Sequence, residues 1–411
     1  MNDNIATPFA KPLYVMLKPA GAHCNLDCKY CYYLEKNNLY NTSRRHLMTD
    51  KMLEQFTQEY IEAQTMNQVL FTWHGGEPLM RSIDFYKKAL ELQKKYAHGK
   101  QIDNVIQTNG TLLTDEWCEF FAQNHFLVGI SIDGPQEYHD HYRQTAAGKP
   151  SWEKVMHGIS LLKKHQVEWN AMAVVNAYNA EHPLEFYHFF RDNGCQYLQF
   201  TPIVERLTEH EDGRTLASLA DVGHKDNHEI TIADFSVTPE QWGKFLCTIF
   251  DDWVRHDVGK IFVEIFDCTL ANWVGVQPGI CAYSKECGHA GVMEHNGDVF
   301  SCDHFVFPEY KLGNIQDKSL IDMLYGEKQQ AFSRLKHTSL PRQCKECDME
   351  FACHGECPKN RFEKDKYGEP GLNYLCKGYY EYYTHVAPYM DFMKRELQVQ
   401  RPPANIMNVL K

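Results

Sequence analysis

The feature that most restricts the fold is a regular alternation of short apolar runs with amphipathic stretches over roughly the first half of the chain. The apolar runs have the length of β-strands, and each but the last is followed by a stretch with apolar residues at helical spacing. Strands that alternate with helices predict parallel β/α units. The sequence therefore predicts an α/β fold built on a partial (β/α)6 TIM-like barrel. Its strands are expected at residues 13–18, 69–73, 105–107, 127–132, 169–175 and 197–204.

A group of three cysteines, Cys24, Cys28 and Cys31, follows the first predicted strand. Three thiolates on one tight loop can hold three irons of a four-iron cubane, which leaves the fourth iron open. A structural zinc site instead needs four ligands that close its coordination shell. The spacing thus favours an iron–sulfur cluster with an open iron. Three buried cysteines or a zinc loop are the alternatives.

Glycine-containing motifs follow the later strands as well. They are Gly-Gly-Glu at residues 75–77, Thr-Asn-Gly at residues 108–110 and Ser-Ile-Asp-Gly-Pro at residues 131–135. In barrels of this kind, chemistry takes place at the carboxyl ends of the strands, where glycine lets the backbone approach a ligand. Each motif alone is equally consistent with an ordinary turn. Their recurrence at corresponding strand ends favours one shared ligand site.

Eight further cysteines lie in the last third of the chain. Eight thiolates are the number that two four-ligand sites require. The pair Asn296 and Gly297 predicts a β-hairpin that returns the third of these cysteines towards the others. Zinc and iron–sulfur clusters both accept four thiolates, so the ligands alone leave both open. The eight are Cys281, Cys287, Cys302, Cys344, Cys347, Cys353, Cys357 and Cys376.

Composition narrows the class of protein. The 411 residues include 43% hydrophobic residues and carry a formal net charge of -12. These values fit a globular protein with a large core and disfavour nucleic-acid binding as its main role. The N-terminal apolar run is too short for a signal peptide or a membrane span, so we expect a cytoplasmic protein without membrane association. Fifteen cysteines in that compartment indicate metal or redox chemistry.

The chain is expected to divide into four parts. The barrel covers residues 1–237, with a long loop or linker at 204–237. A connecting helix and strand occupy residues 238–280, a cysteine-rich domain residues 281–385, and a C-terminal helix and tail residues 386–411.

These motifs resemble the radical S-adenosylmethionine (radical SAM) enzymes, and the C-terminal cysteines resemble their SPASM extension. The resemblance implies three [4Fe–4S] clusters, with the open iron of the first one binding S-adenosylmethionine. The implied ligands are Cys24, Cys28 and Cys31 for the first cluster, Cys281, Cys287, Cys302 and Cys357 for one auxiliary cluster, and Cys344, Cys347, Cys353 and Cys376 for the other. The implied S-adenosylmethionine contacts are Tyr30, Gly75, Gly76, Glu77, Ser131, Arg143 and Leu198. For Arg143, an exposed helix arginine is the alternative.

Over nearly its whole length the chain is similar to the anaerobic sulfatase-maturating enzymes. These oxidise a cysteine or serine in a sulfatase Cys/Ser-x-Pro-x-Arg segment to Cα-formylglycine. The resemblance makes Asp303 the base and places Tyr33 and His74 against the substrate, His74 at a position often held by glutamine. Its implied partners are a sulfatase polypeptide in unfolded or extended form and an electron donor such as flavodoxin or ferredoxin.

Two other functions stay open. One is a different SPASM-type enzyme that forms thioether or carbon–carbon crosslinks on a peptide. The other is a zinc-binding protein without catalytic activity. The resemblance also leaves open whether the sulfatases served carry cysteine or serine at the modified position.

Overall fold

The computed structural model describes residues 12–33, 36, 47–210, 213–216 and 230–410. The β-strands are β1 (Tyr14–Lys18), β2 (Gln68–Trp73), β3 (Gln101–Thr108), β4 (Leu127–Ser131), β5 (Trp169–Val175), β6 (Tyr197–Pro202), β7 (Arg206–His210), β8 (Gly213–Leu216), β9 (Ile230–Ile232), β10 (Phe262–Val263), β11 (Ala290–Glu294), β12 (Asp298–Phe300), β13 (Lys311–Asn314), β14 (Glu363–Lys364) and β15 (Pro370–Leu372). The α-helices are α1 (Asp50–Ala63), α2 (Ile83–Tyr96), α3 (Asp115–Gln123), α4 (Gln136–Tyr142), α5 (Trp152–Lys164), α6 (Pro183–Asp192), α7 (Pro239–His256), α8 (Glu264–Trp273), α9 (Leu320–Leu324), α10 (Glu327–Thr338), α11 (Arg342–Lys345), α12 (Glu350–Cys353), α13 (Cys376–Gln398) and α14 (Ile406–Val409).

Strands β1 to β6 form the barrel part of the main sheet. They are hydrogen-bonded in chain order, and every neighbouring pair is parallel. Helices α1 to α6 lie in the connections between them. The described strands leave the sheet open, with β10 and β13 at its two edges. The predicted α/β fold, a partial barrel, is therefore confirmed.

The helices begin at the caps that the sequence contains. The side chain of Thr49 accepts a hydrogen bond from the first turn of α1, and Thr114 does the same for α3. Thr238 and Gln241 form a capping box at the start of α7, which covers the predicted residues 239–256. Each of these helices then buries an apolar face against the sheet or a neighbouring helix, which is where most helical stability in proteins originates.

The cysteine-rich region joins the barrel through an additional parallel strand. Strand β11 pairs with β1 over its whole length, from Tyr14 opposite Ala290 to Lys18 opposite Glu294. Strands β12 and β13 continue this sheet in antiparallel fashion. The turn between β11 and β12 contains Gly297 with φ +88°, as the predicted hairpin requires. The hairpin therefore turns the chain back along β11, towards the end of that strand where Ala290 lies opposite Tyr14.

The predicted loop or linker at 204–237 contains strands. In its described part, β7, β8 and β9 form an antiparallel sheet of three strands. Residues 211–212 and 217–229 of this stretch lie outside the described residues. Gly213 does argue against a helix, but it begins a strand. The prediction was wrong because polar strands lack the apolar alternation that identifies a half-buried strand.

Two boundaries in the C-terminal half also differ from the prediction. The connecting strand expected within residues 238–280 consists of Phe262–Val263 alone and continues into α8, whose first turn carries Glu264 and Asp267. Carboxylates favour this position because of the helix dipole. The expected boundary between residues 385 and 386 falls inside α13, which is one continuous helix. Among the described residues, none of the helices is both long enough and apolar enough to cross a membrane.

Candidate active site

The loop with three cysteines follows β1 directly. Cys24 Sγ accepts hydrogen bonds from Leu26 N at 3.4 Å and Asn109 Nδ2 at 3.7 Å. Burial raises the pKa of Cys24 and of Cys28 to about 12. Burial thus disfavours the thiolate form, and a bound metal offsets this effect by stabilising the thiolate. The donor set, three sulfurs within electrostatic range of one another, fits an iron–sulfur cluster with one open iron.

The glycine motif after β2 packs against this loop. Gly76 N donates to Gly21 O at 2.8 Å, and Glu77 N donates to His23 O at 2.9 Å. A Cβ atom at Gly76 would lie 2.3 Å from His23 O, so only glycine fits this position. Gly75 has φ +130°, a conformation that also favours glycine. Both glycines hold the cysteine loop in place, and their contact with S-adenosylmethionine stays a prediction.

Glu77 connects the loops after β2 and β3. Its carboxylate accepts hydrogen bonds from Leu79 N at 2.8 Å, Thr108 Oγ1 at 2.8 Å and Asn109 N at 2.7 Å. Burial raises its pKa to about 7, although the three donors favour the charged form. The side chain is fully enclosed by protein. The structure therefore shows that Glu77 positions the two loops, and its contact with the cofactor stays a prediction.

Tyr30, Asp133 and Arg143 form a buried unit between the cysteine loop and the loop after β4. The Tyr30 hydroxyl donates to Asp133 Oδ2, and Arg143 Nε lies 2.9 Å from the same oxygen. Burial disfavours the charge on Arg143, but Asp133 outweighs burial and raises its pKa. Arg143 is thus a buried, paired cation and not an exposed helix residue. The contacts of Tyr30 and Arg143 with S-adenosylmethionine stay predictions.

Ser131 lies on the inner face of the sheet, whereas Leu198 does not. Ser131 Oγ accepts a hydrogen bond from Gln107 Nε2 at 3.0 Å. In the strand register, Ser131 lies opposite Met172, which lies opposite Gln199. Successive strand residues point to opposite faces, so Leu198 faces the helices and is 2% exposed. Gln199 continues the face that carries Ser131, and the contact of Leu198 with S-adenosylmethionine stays a prediction.

The loop after β4 is supported by His139. Its Nδ1 accepts a hydrogen bond from Asp133 N at 3.3 Å, and its Nε2 lies 2.9 Å from Ser151 Oγ. Since Nδ1 accepts, the ring is neutral with its proton on Nε2. Burial lowers the pKa of His139 from 6.5 to about 4. Below pH 6.5 the unfolded chain binds a proton that the folded chain does not, so stability is lost as the pH falls towards 4.

Replacing His139 with glutamine should make the protein less sensitive to acid. Glutamine can keep both hydrogen bonds but does not titrate, so between pH 7 and pH 5 the variant should lose about 2 kcal/mol less stability than the parent. Thermal unfolding of oxygen-free protein at both pH values measures this difference. His157→Gln on the exposed side of α5 is the control. An unchanged pH dependence in the His139 variant would contradict the assignment.

Asp303 lies between β1 and the cysteine loop. Its carboxylate accepts hydrogen bonds from Lys18 Nζ on Oδ1 and from the Tyr32 hydroxyl on Oδ2. The Lys18 side chain is fully buried, and that of Asp303 is 16% exposed. Burial acts to raise the pKa of Asp303, but Lys18, His74 and His304 outweigh it and hold the pKa below its ordinary value. The structure thus brings the predicted Asp303 and His74 together around a charged, partly accessible carboxylate.

Tyr33 lies on the opposite side of Lys18 in a buried position. Its hydroxyl donates to Glu294 Oε1, and Lys18 Nζ lies 3.2 Å from its ring centroid. The hydroxyl is thus occupied by a protein partner, and the contact of Tyr33 with substrate stays a prediction. Lys18 and Glu294 are residues that the sequence analysis missed. Each ends a strand, so the rule that places chemistry at strand ends could have found them.

A second ion pair lies beside the same cysteine loop. Lys359 Nζ pairs with Glu205, and both side chains are largely buried. The lysine also lies 5.4 Å from the centroid of the Tyr32 ring. No pattern in the sequence indicates this pair, because its members are separated by 154 positions.

The eight C-terminal cysteines separate into two groups. Where one of these thiols acts electrostatically on another, both belong to the same group. Within the parts of the chain that the structure describes, no three His, Cys, Asp or Glu side chains converge on one point as a single metal ion requires. Four sulfurs around one zinc ion would each lie about 2.3 Å from a common centre. The groups are Cys281, Cys287, Cys302 and Cys357, and Cys344, Cys347, Cys353 and Cys376.

Comparison with known proteins agrees with this site. The model of the Radical SAM superfamily matches residues 19–190, and that of SPASM, an iron–sulfur cluster-binding domain, matches residues 286–348. The chain is 68% identical over 411 residues to the serine-type anaerobic sulfatase-maturating enzyme of Bacteroides thetaiotaomicron, which covers 100% of this chain and 98% of that one. It is 30% identical over 380 residues to the cysteine-type anaerobic sulfatase-maturating enzyme of Clostridium perfringens, and this match covers 92% of this chain and 97% of that one.

A solved structure agrees with the computed fold. Native anSMEcpe with bound AdoMet and Cp18Cys peptide matches with a TM-score of 0.81 and 29% sequence identity, over 94% of this chain and 100% of that chain. The predicted radical SAM and SPASM regions are therefore confirmed. The chain belongs to the anaerobic sulfatase-maturating enzymes, a family of radical SAM proteins that carry a SPASM domain.

Proposed function

We propose that this protein oxidises a serine or cysteine of a sulfatase Cys/Ser-x-Pro-x-Arg segment to Cα-formylglycine without oxygen, and that serine is its main substrate. The observation that carries the proposal is Asp303, a charged carboxylate that Lys18 and Tyr32 hold next to the loop with three cysteines. The preference for serine rests on the 68% identity to a serine-type relative, against 30% to a cysteine-type one.

The cofactors are S-adenosylmethionine and [4Fe–4S] clusters. When bound, they supply a radical that removes one hydrogen atom from the substrate and a cluster that accepts the electron remaining on the substrate carbon. We assign the first cluster to the three N-terminal cysteines and one auxiliary cluster to each C-terminal group. The ligands would be Cys24, Cys28 and Cys31, then Cys281, Cys287, Cys302 and Cys357, and finally Cys344, Cys347, Cys353 and Cys376.

Asp303 would act as the base in this reaction. Oxidation of a –CH2OH group to an aldehyde removes two hydrogens, one as an atom and the other as a proton plus an electron. The proton can go to Asp303, because each carboxylate oxygen keeps a free lone pair beside its bond to Lys18 or Tyr32. With a cysteine substrate the same steps give a thioaldehyde, which water hydrolyses to the aldehyde. His74 lies close enough to act electrostatically on Asp303 and would border the substrate.

The substrate would bind as an unfolded or extended segment. Asp303 is only 16% exposed, so a residue on the surface of a folded sulfatase could not reach it. We also propose that an external donor such as flavodoxin or ferredoxin supplies electrons, and that the protein acts in the cytoplasm, away from nucleic acid and membranes. The fifteen cysteines form no disulfide in the described parts of the chain, which suits a reducing compartment.

A set of three sulfatase peptides tests the function directly. Protein prepared without oxygen is incubated with S-adenosylmethionine, a reductant and peptides that differ only by serine, cysteine or alanine at the modified position. We expect the serine peptide to lose two hydrogens and to react with a hydrazine reagent for aldehydes. The cysteine peptide should give the same aldehyde more slowly, with loss of sulfur, and the alanine peptide should not react.

Other products would contradict this proposal. A crosslinked peptide also loses two hydrogens, but it forms no hydrazone and keeps its sulfur. A colourless protein with stoichiometric zinc would end the interpretation as a radical SAM enzyme.

A further inference from the structure

Two buried cations lie beside the C-terminal cysteine groups. Lys336 is in α10 and is fully buried, and Arg361 follows Cys357 and is 8% exposed. Their hydrogen bonds within the described residues go to backbone carbonyls. Carbonyl groups satisfy the donors but leave the positive charge in place.

Lys336 points at the backbone around one cluster ligand. Its Nζ donates to the carbonyls of Cys281, Ala282 and Ser284. Only the ammonium form has three N–H donors, so these contacts require the charged side chain. The ammonium also lies within electrostatic range of Cys281 and of two more thiols of the same group.

Arg361 is enclosed by the loop that connects the two groups. Its Nε donates to Gly355 O at 2.8 Å, and its Nη2 donates to His354 O at 2.7 Å and Glu356 O at 2.9 Å. Its Nη1 donates to the carbonyl of Lys336, which links the two cations directly. The guanidinium acts electrostatically on thiols of both cysteine groups.

The backbone conformation of this loop directs its carbonyl groups at the guanidinium. His354, Gly355 and Glu356 have φ values of 48°, 67° and 54°, so three successive residues are left-handed. For a residue other than glycine this conformation is strained. A Cβ atom at Gly355 would lie 2.6 Å from Arg361 Nη2. The chain thus accepts backbone strain at two positions in order to direct three carbonyls at Arg361.

Carboxylates oppose these two cations. Glu356 is a buried carboxylate that acts on both of them, and its Oε2 accepts a hydrogen bond from Cys357 N. Glu286, Glu350 and Asp365 also place negative charge near thiols of the two groups. Together the two cations act on at least five of the eight thiols.

We propose that Lys336 and Arg361 raise the reduction potentials of the auxiliary clusters and so enable them to accept the electron from the substrate. This inference rests on the proposed function, which assigns a cluster to each group. A cluster with four thiolates is anionic and becomes more negative when reduced, so a fixed cation in a region of low dielectric stabilises the reduced state more. The two side chains are positioning residues, since neither touches the substrate.

Redox titration of the cluster-loaded, full-length protein, followed by electron paramagnetic resonance, tests this role. We expect Lys336→Met and Arg361→Gln each to reduce the equilibrium constant for reduction of an auxiliary cluster about tenfold. For one electron this lowers the reduction potential by about 59 mV. Arg361→Lys keeps the charge and should titrate close to the parent. Arg334→Gln, on the exposed side of α10, is the control. The cluster at the N-terminal cysteines should keep its potential in every variant.

Iron and sulfide analysis separates the possible outcomes. Loaded variants that titrate like the parent would overturn the inference and leave the proposed function intact, whereas a parent without clusters would overturn the function itself. If the neutral variants fail to load, Glu356→Gln decides. It removes the opposing negative charge with little change in shape, so an auxiliary potential must rise, and a potential equal to or below that of the parent would refute the proposal.

Discussion

Replacement of Asp303 with asparagine is expected to slow formylglycine formation by about 10²–10⁴-fold, the usual contribution of a general base. Asparagine keeps the shape of the side chain and can still accept a hydrogen bond from Tyr32, but it cannot take up the hydroxyl proton. Cleavage of S-adenosylmethionine precedes that step and should continue. Mass spectrometry should therefore find more 5′-deoxyadenosine per formylglycine than in the parent.

The control for this variant is Asp317→Asn, which changes an exposed aspartate in the same region. Iron content and melting temperature are measured for both variants, because Asp303 also pairs with a buried lysine. If the Asp303 variant binds its full complement of iron and forms formylglycine at the parental rate, Asp303 is not the base.

Replacement of Lys18 with methionine is expected to destabilise the protein by about 3–5 kcal/mol, the cost of leaving one member of a buried ion pair unpaired. The lysine side chain is fully buried against Asp303 and the Tyr33 ring. Its charge is also the main attraction that holds the pKa of Asp303 low. Without it this pKa rises, so the acid limit of activity should move to higher pH, because the base must be deprotonated.

A double-mutant cycle distinguishes the interaction between Lys18 and Asp303 from a general loss of stability. In Lys18→Met/Asp303→Asn the unpaired carboxylate is gone, so the double variant should be more stable than Lys18→Met alone. Denaturant unfolding of oxygen-free protein measures both, with Lys51→Met on the surface of α1 as the control. Strictly additive losses would show that Lys18 and Asp303 do not stabilise each other.

Local patterns in the sequence were enough to predict the barrel and the position of the site. Alternating periods of strand and helix predicted the parallel sheet, and the rule for strand ends placed the cysteine loop and Asn109 on one side of it. The Asn-Gly pair at 296 and 297 predicted the hairpin that carries Asp303 to the site. Each of these inferences depends on residues that are neighbours in the chain or occupy equivalent strand ends.

The features that sequence reasoning missed depend on strand register or distant contacts. The pairing of β11 with β1 joins strands that are about 275 residues apart, and no local pattern encodes it. The side-chain orientation of Leu198 could not be predicted, because a shift of one residue exchanges the two faces of a strand. The hydrogen bonds of Arg361 depend on a loop of three residues with left-handed backbone conformation, which the spacing of the cysteines does not predict.

The pairing of β11 with β1 also bears on how this enzyme can be divided. Removal of the cysteine-rich region would leave β1 as an open sheet edge, and such edges recruit other chains. The N-terminal part is therefore a poor candidate for separate expression, and a chimera that exchanges SPASM regions must carry β11 in the register of Lys18 opposite Glu294. The two regions therefore have to be handled as one sheet, although two separate family models match them.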